Sequence, residues 1–129
     1  MDPRVKLAQQ LYWEISRLRD QGLLRLAVRK LGEMARVHQE LAVQLLHDGE
    51  PDGWPDLYAA VTAWSEAGRK SDAHRLIVEG RRLLSEFPNG RENIESQLKE
   101  LEEWVESLDV VPSLSDFARP LPAIPAGAA

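Results

Sequence analysis

The sequence predicts an all-α fold of the helical-hairpin repeat kind, a short solenoid of two helix pairs plus a capping helix. Apolar residues recur at spacings of three and four along most of the chain, which is the period of one helical face. Clusters of glycine and proline divide that pattern into five segments. Residues 57–87 also match residues 11–41 at a shift of 46 positions. Two copies of an amphipathic helix pair are expected to stack on each other.

Composition limits the classes of function. The chain has 129 residues, of which 43% are hydrophobic, so we expect one helical repeat domain over residues 1–109 and a flexible Pro/Ala-rich tail over residues 110–129. A net charge of -5 argues against general affinity for nucleic acid. The absence of cysteine excludes disulfides and thiolate metal sites. No apolar run fits a signal peptide or a membrane span, so a cytoplasmic protein is the expectation.

Charge is distributed unevenly along the chain. Residues 1–38 carry eight Lys/Arg against four Asp/Glu, a local charge of +4. Residues 92–109 carry seven Asp/Glu against Lys99, a local charge of -6. The two ends of the domain are therefore expected to attract each other, to an extent that salt would reduce.

The first two helices have clear start and stop signals. The first is expected to begin at Asp2 and Pro3, because aspartate caps free N–H groups and proline is tolerated in a first turn. Gly22 permits the turn that ends it, and a longer second helix then runs from near Leu23 to a stop at Gly49. The apolar stripe of the first helix is Leu7, Leu11, Ile15 and Leu18.

The third and fourth helices follow a loop. Residues 48–55 hold two glycines and two prolines, so we expect a loop there and a third helix that starts at Pro55. After Gly68 a fourth helix is expected from about Ser71 to Glu86. The inward positions of these two helices are Leu57, Ala60, Val61, Trp64, Ala73, Leu76, Ile77, Gly80, Leu83 and Leu84.

The fifth helix is expected over residues 91–109 and should cap the exposed end of the array. Asn89 with Glu92 resembles a capping box at its start. Within the tail, residues 119–125 match proline-rich ligands of aromatic-grooved recognition domains. Residues 113–117 could instead clip onto the body of the protein, and an unstructured end is the third alternative.

The internal match places identical residues at equivalent positions. The pairs that carry it are Leu11/Leu57, Tyr12/Tyr58, Gly22/Gly68, Ala27/Ala73, Arg29/Arg75, Glu33/Glu79, Arg36/Arg82 and Glu40/Glu86. The copies span residues of about 8–47 and 54–87. With Ala73 as the small residue of a second helix and Gly68 as the turn glycine, the segment resembles the tetratricopeptide repeat. Leu57, Ala60 and Trp64 then occupy first-helix core positions.

The resemblance implies a small adaptor that binds a peptide or helix of a partner protein. Its groove would be lined by the first helix of each pair. Mapped by position, the lining residues are Gln9, Tyr12, Ser16, Arg19, Tyr58, Thr62 and Ser65, with Pro55 at the edge. Tyr12 and Tyr58 either contact the partner or seal the seam between the hairpins. The alternative function is a structural subunit of a homo-oligomer or larger assembly, joined through its apolar ends.

Arginine and glutamate recur four residues apart on the helices. The pairs are Arg29–Glu33, Arg36–Glu40, Arg75–Glu79 and Arg82–Glu86. This spacing indicates a solvated face with ion pairs worth ~0.2–0.5 kcal/mol each. A set of four basic residues, Arg25, Arg29, Lys30 and Arg36, could instead bind anions, which makes an anion- or nucleic-acid-binding regulator a third hypothesis.

No catalytic or metal-binding pattern is present, so the sequence predicts no enzyme, no cofactor and no metal. The histidines lack a ligand spacing, and His38 is expected to lie partly buried in the core. The acidic loop around Asp52 lacks the glutamate that a calcium loop needs, because Ala59 occupies that position. No phosphate-binding loop or activated nucleophile appears.

The four tryptophans differ in their expected roles. Trp64 lies on the core stripe, and Trp54 could staple the loop before the third helix. Trp13 and Trp104 lie beside the apolar stripes. If either is exposed, it would mark an interface such as a homodimer seam, because large exposed aromatic side chains usually make contacts.

Overall fold

A computed structural model describes residues 2–87 and 91–108, and within those ranges it contains five helices and no strand. They are α1 (Pro3–Asp20), α2 (Leu24–His47), α3 (Gly53–Glu66), α4 (Lys70–Leu84) and α5 (Arg91–Ser107). The predicted all-α class is confirmed. Asn89 and the segments 110–129, 113–117 and 119–125 lie outside the described residues, so the capping box and the roles proposed for the tail stay predictions.

The starts of α1 and α3 depend on local hydrogen bonds. The Asp2 carboxylate accepts a hydrogen bond from the Arg4 backbone N–H at 2.9 Å, as the N-cap prediction requires. The third helix begins at Gly53, two residues before the predicted start at Pro55. The Gly53 N–H donates to the Glu50 carbonyl at 3.1 Å, which closes a turn ahead of the proline. Pro55 then occupies the first turn, where its missing N–H leaves no partner unsatisfied.

The turns after α1 and α3 have the same geometry. Gly22 and Gly68 lie at φ 75° and 76°, where only glycine is free of strain. In each turn the glycine N–H donates to the carbonyl three residues back, and the next N–H donates to the carbonyl five residues back. Gly49 after α2, at φ 76°, makes the same bonds. The shared geometry is therefore a general way of ending these helices.

The helices pack in chain order around one apolar core. Each helix contacts the next, and the contact between α2 and α3 is the most extensive. Leu57 and Val61 of α3 are fully buried at the centre of this core. A smaller cluster of Ala8, Leu11, Val37 and Leu41 joins α1 to α2. Leu11 and Leu57, which occupy equivalent positions in the sequence, are thus both buried, as predicted.

Ion pairs supplement the apolar contact between α4 and α5. The Arg81 guanidinium donates two hydrogen bonds to the Glu102 carboxylate, at 2.7 and 3.1 Å. The His74 imidazole lies 2.8 Å from the Glu106 carboxylate. Both pairs join residues more than 20 positions apart, so no spacing within one helix predicts them.

Acid is expected to weaken the attachment of α5. The hydrogen bonds from Arg81 hold the pKa of Glu102 below its ordinary value. This carboxylate therefore stabilises the fold above the ordinary glutamate pKa of about 4.3, and the contribution is lost as the pH falls through the lower, folded-state pKa. Glu102→Gln should reduce the free energy of unfolding at neutral pH by less than about 1 kcal/mol, because the pair is partly exposed.

Urea denaturation at neutral and acidic pH measures this effect. The difference between wild type and Glu102→Gln should shrink in acid, where the wild-type carboxyl is protonated. The exposed Glu50, in the loop between α2 and α3, serves as the control, and Glu50→Gln should match the wild type at both pH values. A Glu102→Gln deficit that persists unchanged in acid would show that the ion pair is not its cause.

Candidate functional site

A groove lies between α1 and α3, and we name it the α1–α3 groove. Its volume is about 590 Å³, with walls from α1 and α3 and a floor to which α1 and α2 both contribute. The lining residues are Val5, Ala8, Gln9 and Tyr12 of α1, Met34, His38 and Leu41 of α2, and Asp56, Tyr58, Ala59, Thr62, Ala63 and Glu66 of α3. The groove exists because α1 and α3 both pack on α2, which keeps their exposed sides apart.

The floor of the α1–α3 groove is apolar. Ala8 and Leu41 are buried there, and Val5 and Met34 pack against them with part of their surface exposed. A side chain that enters the groove would therefore meet hydrocarbon at the bottom and polar groups at the rim. Such a combination, an apolar base with a few placed polar groups, is typical of binding sites.

Four of the seven residues mapped from the family resemblance line this groove: Gln9, Tyr12, Tyr58 and Thr62. Tyr58 and Thr62 are four residues apart, and the next residue at this spacing is Glu66, which also lines the groove. Three residues mapped to the groove, Ser16, Arg19 and Ser65, are not among its lining.

The structure gives Ser65 and Arg19 other partners. Ser65 is buried, and its hydroxyl donates to the Val61 carbonyl at 2.9 Å within α3. It lies one position before Glu66, so helical rotation turns it toward the core. The Arg19 guanidinium reaches the Glu66 carboxylate at 3.7 Å, which joins α1 to α3 at the end of the groove. Ser16 is half-buried on α1.

The two tyrosines have different surroundings. Tyr12 is 55% exposed. Tyr58 is half-buried, its hydroxyl donates to the side-chain carbonyl of Gln97 on α5, and burial raises its pKa. Tyr58 therefore joins α3 to α5 while it also lines the groove, whereas Tyr12 stands on the open wall of α1.

A histidine and an aspartate meet in the α1–α3 groove. Nδ1 of His38 donates to the Asp56 carboxylate at 2.9 Å, and both side chains are largely buried. His38 is partly buried, as the sequence predicts, but it lines the groove and is not part of either apolar cluster. Sequence reasoning missed Asp56, because its only local signal is an acidic residue in the first turn of α3.

A second groove lies along α2, on the side that carries its arginines, and we name it the arginine groove. Its volume is about 540 Å³. It is lined by Leu7, Leu11, Arg25, Val28, Arg29, Gly32, Glu33, Arg36, Val37, Glu40, Trp64, Ala67 and Arg69. The Arg69 guanidinium lies 5.0 Å from the centre of the Trp64 ring, a cation–π contact at the groove wall.

Two of the predicted ion pairs within helices are missing from this groove. In the part of the chain that the structure describes, Arg29 and Arg36 have no carboxylate within 4.0 Å. Glu33 instead lies 3.6 Å from the Lys30 ammonium. Elsewhere, the predicted Arg82–Glu86 pair forms at 3.8 Å, while Arg75 pairs with Asp72 at 3.3 Å in place of Glu79.

The two exposed tryptophans are Trp13 and Trp104, whose exposure the sequence did not decide. Trp13 is 65% and Trp104 39% exposed, whereas Trp54 and Trp64 are each 4% exposed. Trp54 packs edge-on against Phe87, with ring centres 5.5 Å apart. Trp13 and Trp104 lie on α1 and α5, the first and last helices of the array.

Two further observations concern metals and membranes, and both apply to residues 2–87 and 91–108. No group of three or more His, Asp or Glu side chains is placed to hold a metal ion. None of these helices combines the length and the apolar content that crossing a bilayer requires.

Comparisons with family models, curated proteins and solved structures give no match for this chain.

Proposed function

We propose that this chain is a small interaction adaptor, in which α1–α2 and α3–α4 form a two-copy helical-hairpin repeat of the tetratricopeptide kind. In this proposal the α1–α3 groove binds a short segment of a partner protein. The observation that carries it is the meeting of Gln9, Tyr12, Tyr58 and Thr62 in one groove with an apolar floor. Gln9 and Tyr12 come from α1, and Tyr58 and Thr62 come from α3, so two helices that are separated along the chain contribute to one surface.

The chemistry of the groove favours a particular kind of ligand. The apolar floor suits one or two buried apolar side chains of the bound segment. Asp56 is held by His38 at 2.9 Å, but Arg19 reaches Glu66 only at 3.7 Å, so the Glu66 carboxylate in the lining favours a basic residue beside that apolar anchor. The volume of about 590 Å³ lies within the range of about 300–1,000 Å³ that is typical of ligand pockets, so it suits a short segment.

Selection from a displayed random-peptide library tests the proposal. Peptides retained by the immobilised chain should contain an apolar residue next to Lys or Arg. Their affinity should fall about tenfold or more on Tyr12→Ala, because aromatic side chains at the centre of an interface often contribute more than 1 kcal/mol. Tyr12 is largely exposed in the free protein, so this change should leave the fold intact.

Trp104 provides the control, because the ring of Trp13 packs edge-on against Tyr12 with ring centres 5.4 Å apart. Trp104 is an exposed aromatic residue on α5 and does not line the groove. Trp104→Ala should therefore keep the affinity of the wild type, and circular dichroism should show equal helix content in both variants. Equal losses in the two variants, or a library that yields no binding peptide, would argue against the groove as the site.

A further inference from the structure

We propose that two copies of this chain associate as a two-fold dimer, in which the exposed acidic face of α5 on each copy lies against the arginine groove of the other. The acidic face is defined by Glu100, Glu103 and the exposed Trp104. The arginine groove shares no lining residue with the α1–α3 groove, so the dimer is independent of the adaptor function.

The receiving surface combines positive charge with an apolar base. Its lining holds four arginines against two glutamates. Arg25, Arg29 and Arg36 lie on one side of α2, whereas Arg69 lies across the groove at the start of α4 and is paired with Asp72 at 2.7 Å. Between them the base includes Leu11 and other apolar side chains, so the surface can accept an aromatic ring and carboxylates together.

The arginines of α2 are free to bind a carboxylate from outside. Within the ranges that the structure describes, Arg25, Arg29 and Arg36 lack any carboxylate within 4.0 Å. The glutamate that the sequence pattern pairs with Arg29 is held by Lys30 at 3.6 Å. Guanidinium groups form strong paired hydrogen bonds with carboxylates. A ligand rich in Asp or Glu would therefore supply the carboxylates that these arginines do not find on α2.

α5 has the complementary charge. Glu102 and Glu106 are engaged by α4, through Arg81 and His74. Glu100 and Glu103 are exposed, and in the described part of the chain no basic side chain lies within 4.0 Å of either. Glu100 and Glu103 lie four positions and one position before Trp104 on α5, and Trp104 is 39% exposed. A large aromatic side chain flanked by free carboxylates matches an apolar base flanked by free arginines.

The positions of the two surfaces favour a closed pair. Glu106 of α5 lies 3.8 Å from Lys70, and Lys70 directly follows Arg69, which lines the arginine groove. The C-terminal end of α5, which follows the acidic face along the helix, therefore lies near the edge of the arginine groove on one molecule. A two-fold rotation can then bring each α5 against the other copy's groove at the same time, so each ion pair forms twice.

Charge reversal with restoration tests the dimer. Sedimentation velocity on the wild-type chain should show a dimer whose dissociation constant rises about tenfold or more between low and high salt. Arg29→Glu with Arg36→Glu, or Glu100→Arg with Glu103→Arg, should each give a monomer. An equimolar mixture of these two double variants should dimerise again, because both contacts of the mixed pair are then attractive.

Two further variants complete the design. A chain that carries all four reversals should also dimerise, because its α5 is basic and its groove acidic. Lys6→Glu with Arg17→Glu changes the net charge by the same amount as the arginine-groove variant, on exposed basic residues outside both grooves, and this variant should dimerise like the wild type. Circular dichroism verifies that every variant keeps its helices.

Several results would overturn the proposal. These are a wild-type chain that is monomeric at all concentrations, double variants that dimerise like the wild type, and a mixture or fourfold variant that stays monomeric. A monomeric wild type that binds a polyglutamate peptide through the arginine groove would also overturn it, because the occupant would then be another acidic chain. None of these results affects peptide binding in the α1–α3 groove.

Discussion

Leu57→Ala is expected to destabilise the fold by about 2–5 kcal/mol, the range for truncating a buried leucine. Leu57 is fully buried on α3. Its side chain lies where α3, α4 and α5 meet, since a Cβ placed on Gly80 would lie 3.1 Å from Leu57 and 3.6 Å from Leu98. Removal of three carbon atoms there leaves a cavity that rigid helices on three sides fill poorly. Urea denaturation at neutral pH, followed by tryptophan fluorescence, measures the loss.

Leu26 is the matched control for this experiment. It is a leucine within α2 that remains 43% exposed. Leu26→Ala should change the free energy of unfolding by no more than about 0.5 kcal/mol, as is usual for surface positions. Similar losses for the two substitutions would mean that α3 is not the centre of the core.

Gly53→Ala is expected to destabilise the fold by about 1–3 kcal/mol, although alanine favours helices. Gly53 is the first residue of α3 and packs directly on α2. A Cβ there would lie 2.8 Å from Leu46 Cγ and 2.9 Å from the Ala42 backbone carbonyl. The carbonyl belongs to the interior of α2 and cannot move aside, so the start of α3 would have to shift.

Gly32 is the control for this experiment, because substitution by alanine is expected to stabilise the fold there. Gly32 lies inside α2, and a Cβ would meet nothing closer than a Trp64 ring atom at 4.0 Å. Gly32→Ala should therefore stabilise the fold by up to about 1 kcal/mol, through helix propensity alone. Thermal and urea unfolding of both variants measure the two effects. A stabilising Gly53→Ala would contradict the close approach of α3 to α2.

The helices were predictable because their ends depend on nearby residues. Asp2 caps α1 through the N–H two positions on, and Gly22 and Gly68 end helices through bonds that span at most five residues. The predicted start of α3 is two residues late. Pro55 is an obvious signal for a helix start, whereas no feature of the sequence indicates the hydrogen bond between Gly53 and Glu50.

The candidate grooves were predictable only in part. Gln9, Tyr12, Tyr58 and Thr62 could be assigned to one surface from their positions in a familiar repeat pattern, and they do line one groove. The sequence could not show that Glu66, and not Ser65, lines the groove. A shift of one residue rotates a side chain by about 100° on a helix of about 3.6 residues per turn. That rotation depends on how α3 packs against α2.

The local pattern of residues thus specified which segments are helical and, to within about two residues, where they begin and end. It also specified most of the buried positions, although Leu7 of the predicted α1 stripe is 42% exposed. The folded chain added the pairings between distant residues. His38 meets Asp56, and Arg81 meets Glu102, across helix contacts whose angle and register no single segment encodes. The same holds for Arg29, which the spacing assigns to Glu33 and the structure leaves open to solvent. Side-chain partners across helices follow from the packing of whole helices, and that packing depends on the entire core.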